Sequence, residues 1–110
     1  MKMESTDDLG LTLAATRFAA LGSEQRLAVL RTLVRAGPEG LSMGDLGARS
    51  GITGSTLTHH LKILAQAELV TQVRQGRQMI AAAMADDVIY DLSNFLLAQC
   101  CADTKEPSDG

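Results

Sequence analysis

Apolar residues recur at helical spacing in the first third of the chain and predict two helices. The first covers residues 9–21, which are rich in Ala and Leu, and the second covers residues 24–36. Ser23 is suited to cap the second helix, and the Gly-Pro pair at residues 37–38 is suited to end it. The apolar residues available for burial are Leu13, Phe18 and Leu21 in the first helix and Leu27, Leu30, Leu33 and Val34 in the second.

A short connector at residues 39–41 leads to two further helices separated by a glycine-containing turn. Ser42 is suited to cap a short helix over residues 43–49, and Thr53 a longer one over residues 54–67. The apolar residues expected to face inward are Met43 and Leu46 on the short helix and Leu57, Leu61 and Leu64 on the longer helix. This spacing leaves a polar outer face on the longer helix.

From residue 68 the helical pattern ends, and residues 69–73 and 77–83 are predicted to form two strands. The Gln-Gly pair at residues 75–76 predicts a tight turn with a polar, basic tip. A last helix is predicted over residues 86–100, with an apolar stripe of Val88, Leu92, Phe95 and Leu96. This order of elements predicts a winged helix-turn-helix, and a fold class that is mainly α with a small β-hairpin.

Length and composition limit the possible classes of protein. With 110 residues the chain has room for one core, so we predict a single domain over residues 1–110 with disordered tails at 1–8 and 103–110. Aromatic residues make up only 3% of the chain, which argues against an aromatic platform for single-stranded nucleic acid. No stretch approaches the roughly 18 apolar residues of a membrane span, and no signal-peptide pattern opens the chain. We therefore expect a cytoplasmic protein without a membrane partner.

The net charge of −3 hides an uneven distribution. Residues 49–80 contain four basic residues and one acidic residue, whereas residues 81–110 contain one basic and six acidic residues. A polyanion should therefore contact the middle of the chain and be repelled by its end.

The segment SGITGSTLTHHLKIL at residues 50–64 resembles the DNA-recognition segment of the ArsR/SmtB family of winged-helix repressors, which have a similar Ser-Thr-x-Ser-His-His-Leu-Lys run at this place. Residues 22–30, GSEQRLAVL, resemble the family's helix that opens with Asp-Pro-x-Arg, although Ser-Glu replaces Asp-Pro here. The resemblance covers roughly residues 15–100. It implies a homodimer, formed through the first and last helices, that represses its operator in the ligand-free state and leaves the double-stranded DNA when a ligand binds.

In such a fold, polar residues in the first turns of the second helix usually reach bases or phosphates. The candidate DNA-binding residues are Ser55, Thr56, Thr58, His59 and Lys62 on the helix and Arg74, Gln75 and Arg77 on the wing. The simpler alternative for each is a solvated surface position. Because adjacent side chains on a helix diverge, we do not expect His59 and His60 to form a metal site. One of them should be packed or lie near the phosphate backbone, and the other should face the groove.

The only cysteines, Cys100 and Cys101, are adjacent, which suits them to holding one soft ion or to redox chemistry. The founder type of the family carries thiols on the short helix, where this chain has Ser42 and Gly44, and the zinc sensors use a His that the last helix lacks. The remaining pair resembles the arsenic site that other members carry at the end of the last helix. Those members add a third Cys, which is absent here.

Inorganic trivalent arsenic prefers three thiolates, whereas a monomethyl arsenical needs only two. The two-cysteine site therefore favours methylarsenite as the inducer, with arsenite or antimonite as alternatives, and no permanent cofactor is expected. Because neighbouring residues on a helix point about 100° apart, both sulfurs could reach one ion only if the last helical turn unwinds.

Two other functions are open at this stage. The same cysteines could sense oxidants or persulfides, giving an intersubunit bridge or a strained disulfide between neighbours. Alternatively, the winged helix could be a protein-interaction module without DNA binding, which the acidic net charge allows. The sequence contains no nucleophile–base pair and no phosphate loop, so an enzyme is not expected.

Overall fold

The computed structural model describes residues 5–84 and 86–104, which form five helices and three strands. In chain order the elements are α1 Ser5–Ala20, α2 Glu24–Ala36, β1 Leu41–Ser42, α3 Met43–Ser50, α4 Gly54–Gln66, β2 Val70–Gln75, β3 Gln78–Ala83 and α5 Asp86–Leu97. Helix α1 begins at Ser5, four residues before the predicted start, so residues 5–8 of the predicted tail are helical. Residues 1–4 and 105–110 of the predicted tails lie outside the described residues.

Two of the three predicted helix caps form. The Ser23 hydroxyl accepts a hydrogen bond from the Arg26 amide at 3.3 Å, and the Ser42 hydroxyl accepts one from the Asp45 amide at 3.2 Å. Thr53 occupies the cap position of α4 with an extended backbone, but its side chain makes no capping bond. The predicted position is therefore correct and the predicted interaction is wrong.

The sheet has three antiparallel strands in the order β1-β3-β2. Leu41 of β1 lies opposite Ala81 of β3, so the predicted connector at residues 39–41 runs into a strand. The hairpin formed by β2 and β3 turns at residues 76–77, one residue later than predicted, because Gln75 still pairs with the first residue of β3. Strand β1 has only two residues, too few for an alternating pattern to show.

The core lies where α2, α3 and α4 meet the sheet. Its largest fully buried side chains are Leu33, Leu46, Leu61, Leu64, Leu69 and Val29. The inward face predicted for α4 is confirmed, but the predicted stripe on α2 is partly wrong. Leu27 and Val34 are 47% and 46% exposed, and Val29 is buried instead. The reason is that α2 packs on α3, α4 and β3 along the face centred on Val29 and Leu33, which places the other two at its edges.

Helices α1 and α5 pack against each other and leave apolar residues on the outside of the described chain. Of the residues predicted for burial, Leu92 is buried, whereas Leu13, Phe18, Phe95 and Leu96 remain exposed. Helix α5 ends at Leu97, three residues before its predicted end. Among residues 5–84 and 86–104, no helix has both the length and the apolar character needed to cross a membrane.

Candidate nucleic-acid interface and cysteine site

The turn between α3 and α4 is held by short contacts. The Gly51 amide donates a hydrogen bond to the Gly47 carbonyl at 2.9 Å, and Gly51 adopts the left-handed conformation with φ of 79°. The Ile52 amide donates to the Ser50 hydroxyl at 3.2 Å. A Cβ added at Gly47 would lie 2.9 Å from the Thr53 Cγ2 atom, so a larger residue at position 47 would force α3 or the Thr53 side chain to shift. These contacts fix the direction in which α4 leaves the turn.

Helix α4 has one buried face and one exposed face. Leu57, Leu61 and Leu64 anchor the buried face in the core. The predicted DNA-binding residues of this helix all lie on the exposed side: Ser55, Thr56, Thr58, His59 and Lys62. A helix held rigidly on one side with short polar groups on the other has the form needed to enter a major groove.

The hairpin places the three predicted wing residues near its tip. Arg74 and Gln75 end β2, Arg77 lies in the turn, and all three side chains are exposed. Within the described part of the chain, neither Arg74, Arg77 nor Lys62 of α4 has an ion-pair partner. Their positive charges are therefore available to a polyanion.

His60 is the packed member of the histidine pair, as expected. Its Nε2 atom lies 2.8 Å from Oε1 of Gln25 in α2, and its Nδ1 atom is buried without a partner among the described residues. Burial lowers the pKa of His60, and the positive charges of Arg26 and His59 lower it further. The ring centroids of His59 and His60 are 5.9 Å apart, with their planes tilted by 50°.

Sequence reasoning did not identify Arg17, which joins α1 to the end of the candidate recognition helix. Its Nε atom donates to the Ala67 carbonyl at 3.0 Å, and its Nη2 atom lies 3.3 Å from Oε1 of Glu68. Ala67 caps α4, so the guanidinium neutralises the negative end of that helix dipole. No local sequence signal could reveal the contact, because the partners are 50 residues apart.

The cysteines lie beyond the last helix rather than inside it. The Cys100 amide donates to the Leu97 carbonyl at 2.9 Å in a turn after α5, and Cys101 has a positive φ of 62°. Both thiols are exposed and their Sγ atoms lie 3.3 Å apart. The chain has already left the helix at this point, so the non-helical backbone that the two sulfurs were expected to need is present without any unwinding. Within the described residues, no group of three His, Cys, Asp or Glu side chains could hold a metal ion.

Comparison with known proteins supports the predicted architecture. The helix-turn-helix domain family matches residues 21–73. The uncharacterized HTH-type transcriptional regulator YceK of Bacillus subtilis is 34% identical over 96 residues, which cover 87% of this chain and 92% of that protein. The transcriptional repressor SdpR of the same organism is 31% identical over 80 residues, or 73% and 84% of the two chains. The names of these relatives, regulator and repressor, agree with the prediction that the chain is not an enzyme.

Solved structures show the same fold. An ArsR-like transcriptional regulator from Rhodococcus sp. RHA1 superposes with a TM-score of 0.69 at 26% identity, covering 81% of this chain and 80% of that one. The winged helix-turn-helix domain of Mb0332 from Mycobacterium bovis, described as homodimeric and a possible ArsR-family regulator, has a TM-score of 0.70 at 18% identity and covers 96% of each chain. The predicted winged helix-turn-helix is therefore confirmed.

Proposed function

Since the chain belongs to the ArsR-type family of winged-helix transcriptional regulators, we propose that it is a homodimeric repressor released from operator DNA by a trivalent arsenical. The observation that carries the DNA-binding part is the two-faced α4, whose buried leucines hold a polar face toward solvent. The inducer part rests on the two adjacent sulfurs after α5.

Each predicted DNA-binding residue has a role that its chemistry suits. Ser55, Thr56, Thr58 and His59 are short polar groups at the start of α4 and would reach base edges or nearby phosphates. Lys62, Arg74 and Arg77 would contact phosphates, and Gln75 would approach the minor groove from the wing. In a dimer, two such surfaces must match half-sites about 34 Å apart, one turn of the double helix.

The cysteine geometry fits a ligand with two open positions. Two thiolates bound to one ion through bonds of about 2.3 Å can be at most about 4.6 Å apart, and the observed 3.3 Å lies within that limit. Methylarsenite would exchange its two hydroxyl groups for Cys100 and Cys101, releasing two water molecules and leaving its methyl group in place. Arsenite or antimonite would need a third ligand from another molecule.

The contacts of α1 offer a route from the cysteines to DNA. Helix α1 packs against both α5 and α4, and Arg17 joins it to the Ala67 carbonyl at the end of α4. A ligand that reshapes the turn after α5 would move α5 against α1 at the subunit interface. Because α4 is tied to α1, the separation of the two recognition helices would change and the half-sites would no longer match.

A ligand-release assay tests this proposal. Fluorescence anisotropy of labelled DNA from upstream of the gene would be followed while methylarsenite, arsenite, antimonite, peroxide or polysulfide is added. We expect methylarsenite to release the wild type. The Cys100→Ser and Cys101→Ser variants should bind DNA and no longer respond, while the neighbouring Gln99→Ala control responds normally. If methylarsenite still released a variant lacking both thiols from the DNA, the assignment of the site to Cys100 and Cys101 would be contradicted.

The same sulfur separation favours a second candidate, a thiol-redox or persulfide sensor. Two thiols and one peroxide molecule would yield a disulfide and two water molecules, either between Cys100 and Cys101 or between subunits. If peroxide or polysulfide releases DNA and methylarsenite does not, this candidate replaces the arsenical one.

A further inference from the structure

The described arginines and lysine differ in the partners they have. Arg17 and Arg26 donate to the backbone carbonyls of Ala67 and Ala20. A second set forms the candidate DNA surface: Lys62, Arg74 and Arg77. A third set neither binds a backbone carbonyl nor belongs to the candidate DNA surface: Arg31, Arg35 and Arg49.

These three arginines line one cleft of about 490 Å³ between α2 and the end of α3. Arg31 and Arg35 lie one turn apart on α2, and Arg49 lies in the last turn of α3. The remaining lining residues are small: Ala28, Thr32 and Ser50. The cleft volume is within the range of about 300–1,000 Å³ that is usual for small-molecule sites.

The polar groups of the cleft favour an anion over a neutral ligand. The Thr32 hydroxyl donates to the Ala28 carbonyl at 2.8 Å, and the Ser50 hydroxyl bonds to Ile52, so both are engaged inside the protein. By contrast, Arg31, Arg35 and Arg49 have no hydrogen-bond or ion-pair partner in residues 5–84 and 86–104. The available donors are therefore guanidinium groups.

Two of these arginines, Arg31 and Arg35, carry like charges close together on α2, and a bound anion would offset their repulsion. Like charges one helical turn apart repel by a few tenths of a kcal/mol, as at Arg31 and Arg35. Arg35 and Arg49 lie in the last turns of α2 and α3, where the negative ends of the helix dipoles favour them, whereas Arg31 lies outside the last turn of α2. The three exposed arginines line the same cleft, and guanidinium groups offer paired donors that match the oxygen atoms of phosphate.

We propose that the cleft between α2 and α3 is a phosphate-binding site formed by Arg31, Arg35 and Arg49. The site lies outside the candidate recognition face of α4 and the wing. Its ligand is a phosphate group of the DNA backbone beyond the recognition helix or of a small phosphorylated molecule. The same chemistry recognises both sources.

Titration with inorganic pyrophosphate tests the site independently of DNA. Amide resonances of the cleft lining, followed by NMR, should shift and saturate in the wild type. The triple Arg→Gln variant at positions 31, 35 and 49 should bind at least tenfold more weakly. The triple Arg→Lys variant keeps the charge and controls for nonspecific attraction, and it should also bind more weakly because it lacks the paired donors. The Arg74→Gln/Arg77→Gln variant should bind pyrophosphate like the wild type.

The salt dependence of binding to a 30-base-pair duplex of arbitrary sequence separates the two sources. If the cleft holds backbone phosphates, the triple Gln variant should lower the slope of log affinity against log salt by about 3 per protomer. Pyrophosphate binding with an unchanged slope would assign the site to a free phosphorylated ligand. If the triple Gln variant keeps both the wild-type affinity for pyrophosphate and the wild-type salt slope, the proposal is overturned. The wing and cysteine variants test the proposed repressor separately, so the two failures are distinguishable.

Discussion

At the scale of single residues, two partly buried polar contacts hold α4 in place. His60 binds Gln25 of α2 in the middle of the helix, and Arg17 of α1 binds the carbonyl at its end. Each contact joins residues far apart in the chain. They orient the candidate recognition helix relative to two different neighbours, so a change in either should affect more than local packing.

Removing Arg17 should destabilise the protein. The Arg17→Ala variant leaves the Ala67 carbonyl and the end of the α4 dipole without a partner, which we expect to lower the free energy of unfolding by about 1–3 kcal/mol. Urea denaturation measures this change. The exposed Arg31→Ala control should stay within about 0.5 kcal/mol of wild type. Equal effects of the two substitutions would contradict the role of Arg17.

His60 should make the free energy of unfolding depend on pH. In the unfolded chain its pKa is about 6.5, whereas burial lowers the pKa in the folded protein. As the pH falls below about 6.5, the unfolded state therefore binds more protons than the folded state. The free energy of unfolding is highest above that pH and decreases as the pH falls toward the folded-state pKa of His60. Denaturation between pH 7.5 and 5.5 should show a flatter profile for His60→Gln than for wild type. The exposed Gln72→Ala control, which removes no titratable group, should keep the wild-type slope.

At the scale of elements, the small sheet depends on a glycine before β1. Gly40 has a positive φ of 75°, and a Cβ there would overlap the Ala81 carbonyl of β3. Strand β1 therefore approaches β3 closely enough to pair only because residue 40 has no side chain. This contact connects the wing to the start of α3.

Glycine substitutions separate backbone conformation from steric overlap. A Cβ added at Gly51 has no other atom within 4 Å. Gly51→Ala should therefore lower the free energy of unfolding only by the penalty of the left-handed conformation, about 1–2 kcal/mol. Gly40→Ala adds overlap with β3 and should cost more, beyond about 3 kcal/mol, with loss of β1 pairing. Thermal denaturation compares the two variants. A smaller effect at Gly40 than at Gly51 would be inconsistent with this packing.

The two wing arginines should contribute to DNA affinity through their charge. Neutralising Arg74 and Arg77 together, as Arg74→Gln/Arg77→Gln, should weaken binding to all sequences similarly and lower the salt slope by about 2 per protomer. Anisotropy titrations at several salt concentrations measure the slope, with the uncharged exposed Gln72→Ala as control. Unchanged affinity would favour the protein-interaction module over a DNA-binding regulator.

At the scale of the whole molecule, the apolar surface of α1 and α5 is the face that, under the proposed function, a second copy would cover. Leu11 and Leu13 of α1 lie exposed, as do Phe95, Leu96 and Leu97 of α5, and the cysteines follow directly after α5. Covering such a face removes apolar area from water, which favours association by about 25 cal/mol for each Å² buried. The proposed dimer thus places the sensor thiols beside the subunit interface.

A charged residue in this face should weaken the dimer. Leu96 is 67% exposed in the single chain, so Leu96→Glu should leave the fold intact while burying a charge only when two copies meet. Analytical ultracentrifugation should show a higher dissociation constant, accompanied by weaker operator binding. Leu27→Glu on α2 is the matched control and should remain dimeric. A fully dimeric Leu96→Glu would place the interface elsewhere.

Local periodicity and turn chemistry were sufficient to predict the five helices, the hairpin, the winged helix-turn-helix and the inward face of α4, because each depends on neighbours in the chain. The candidate DNA-binding residues followed from that face and the distribution of charge. Tertiary structure alone decided the contacts between distant segments: β1 with β3, Arg17 with Ala67, His60 with Gln25 and the arginine cleft. It also decided that α5 ends before the cysteines and brings their sulfurs together. Such features depend on how helices pack, and pairing across 35 or 50 residues leaves no periodic trace in the sequence.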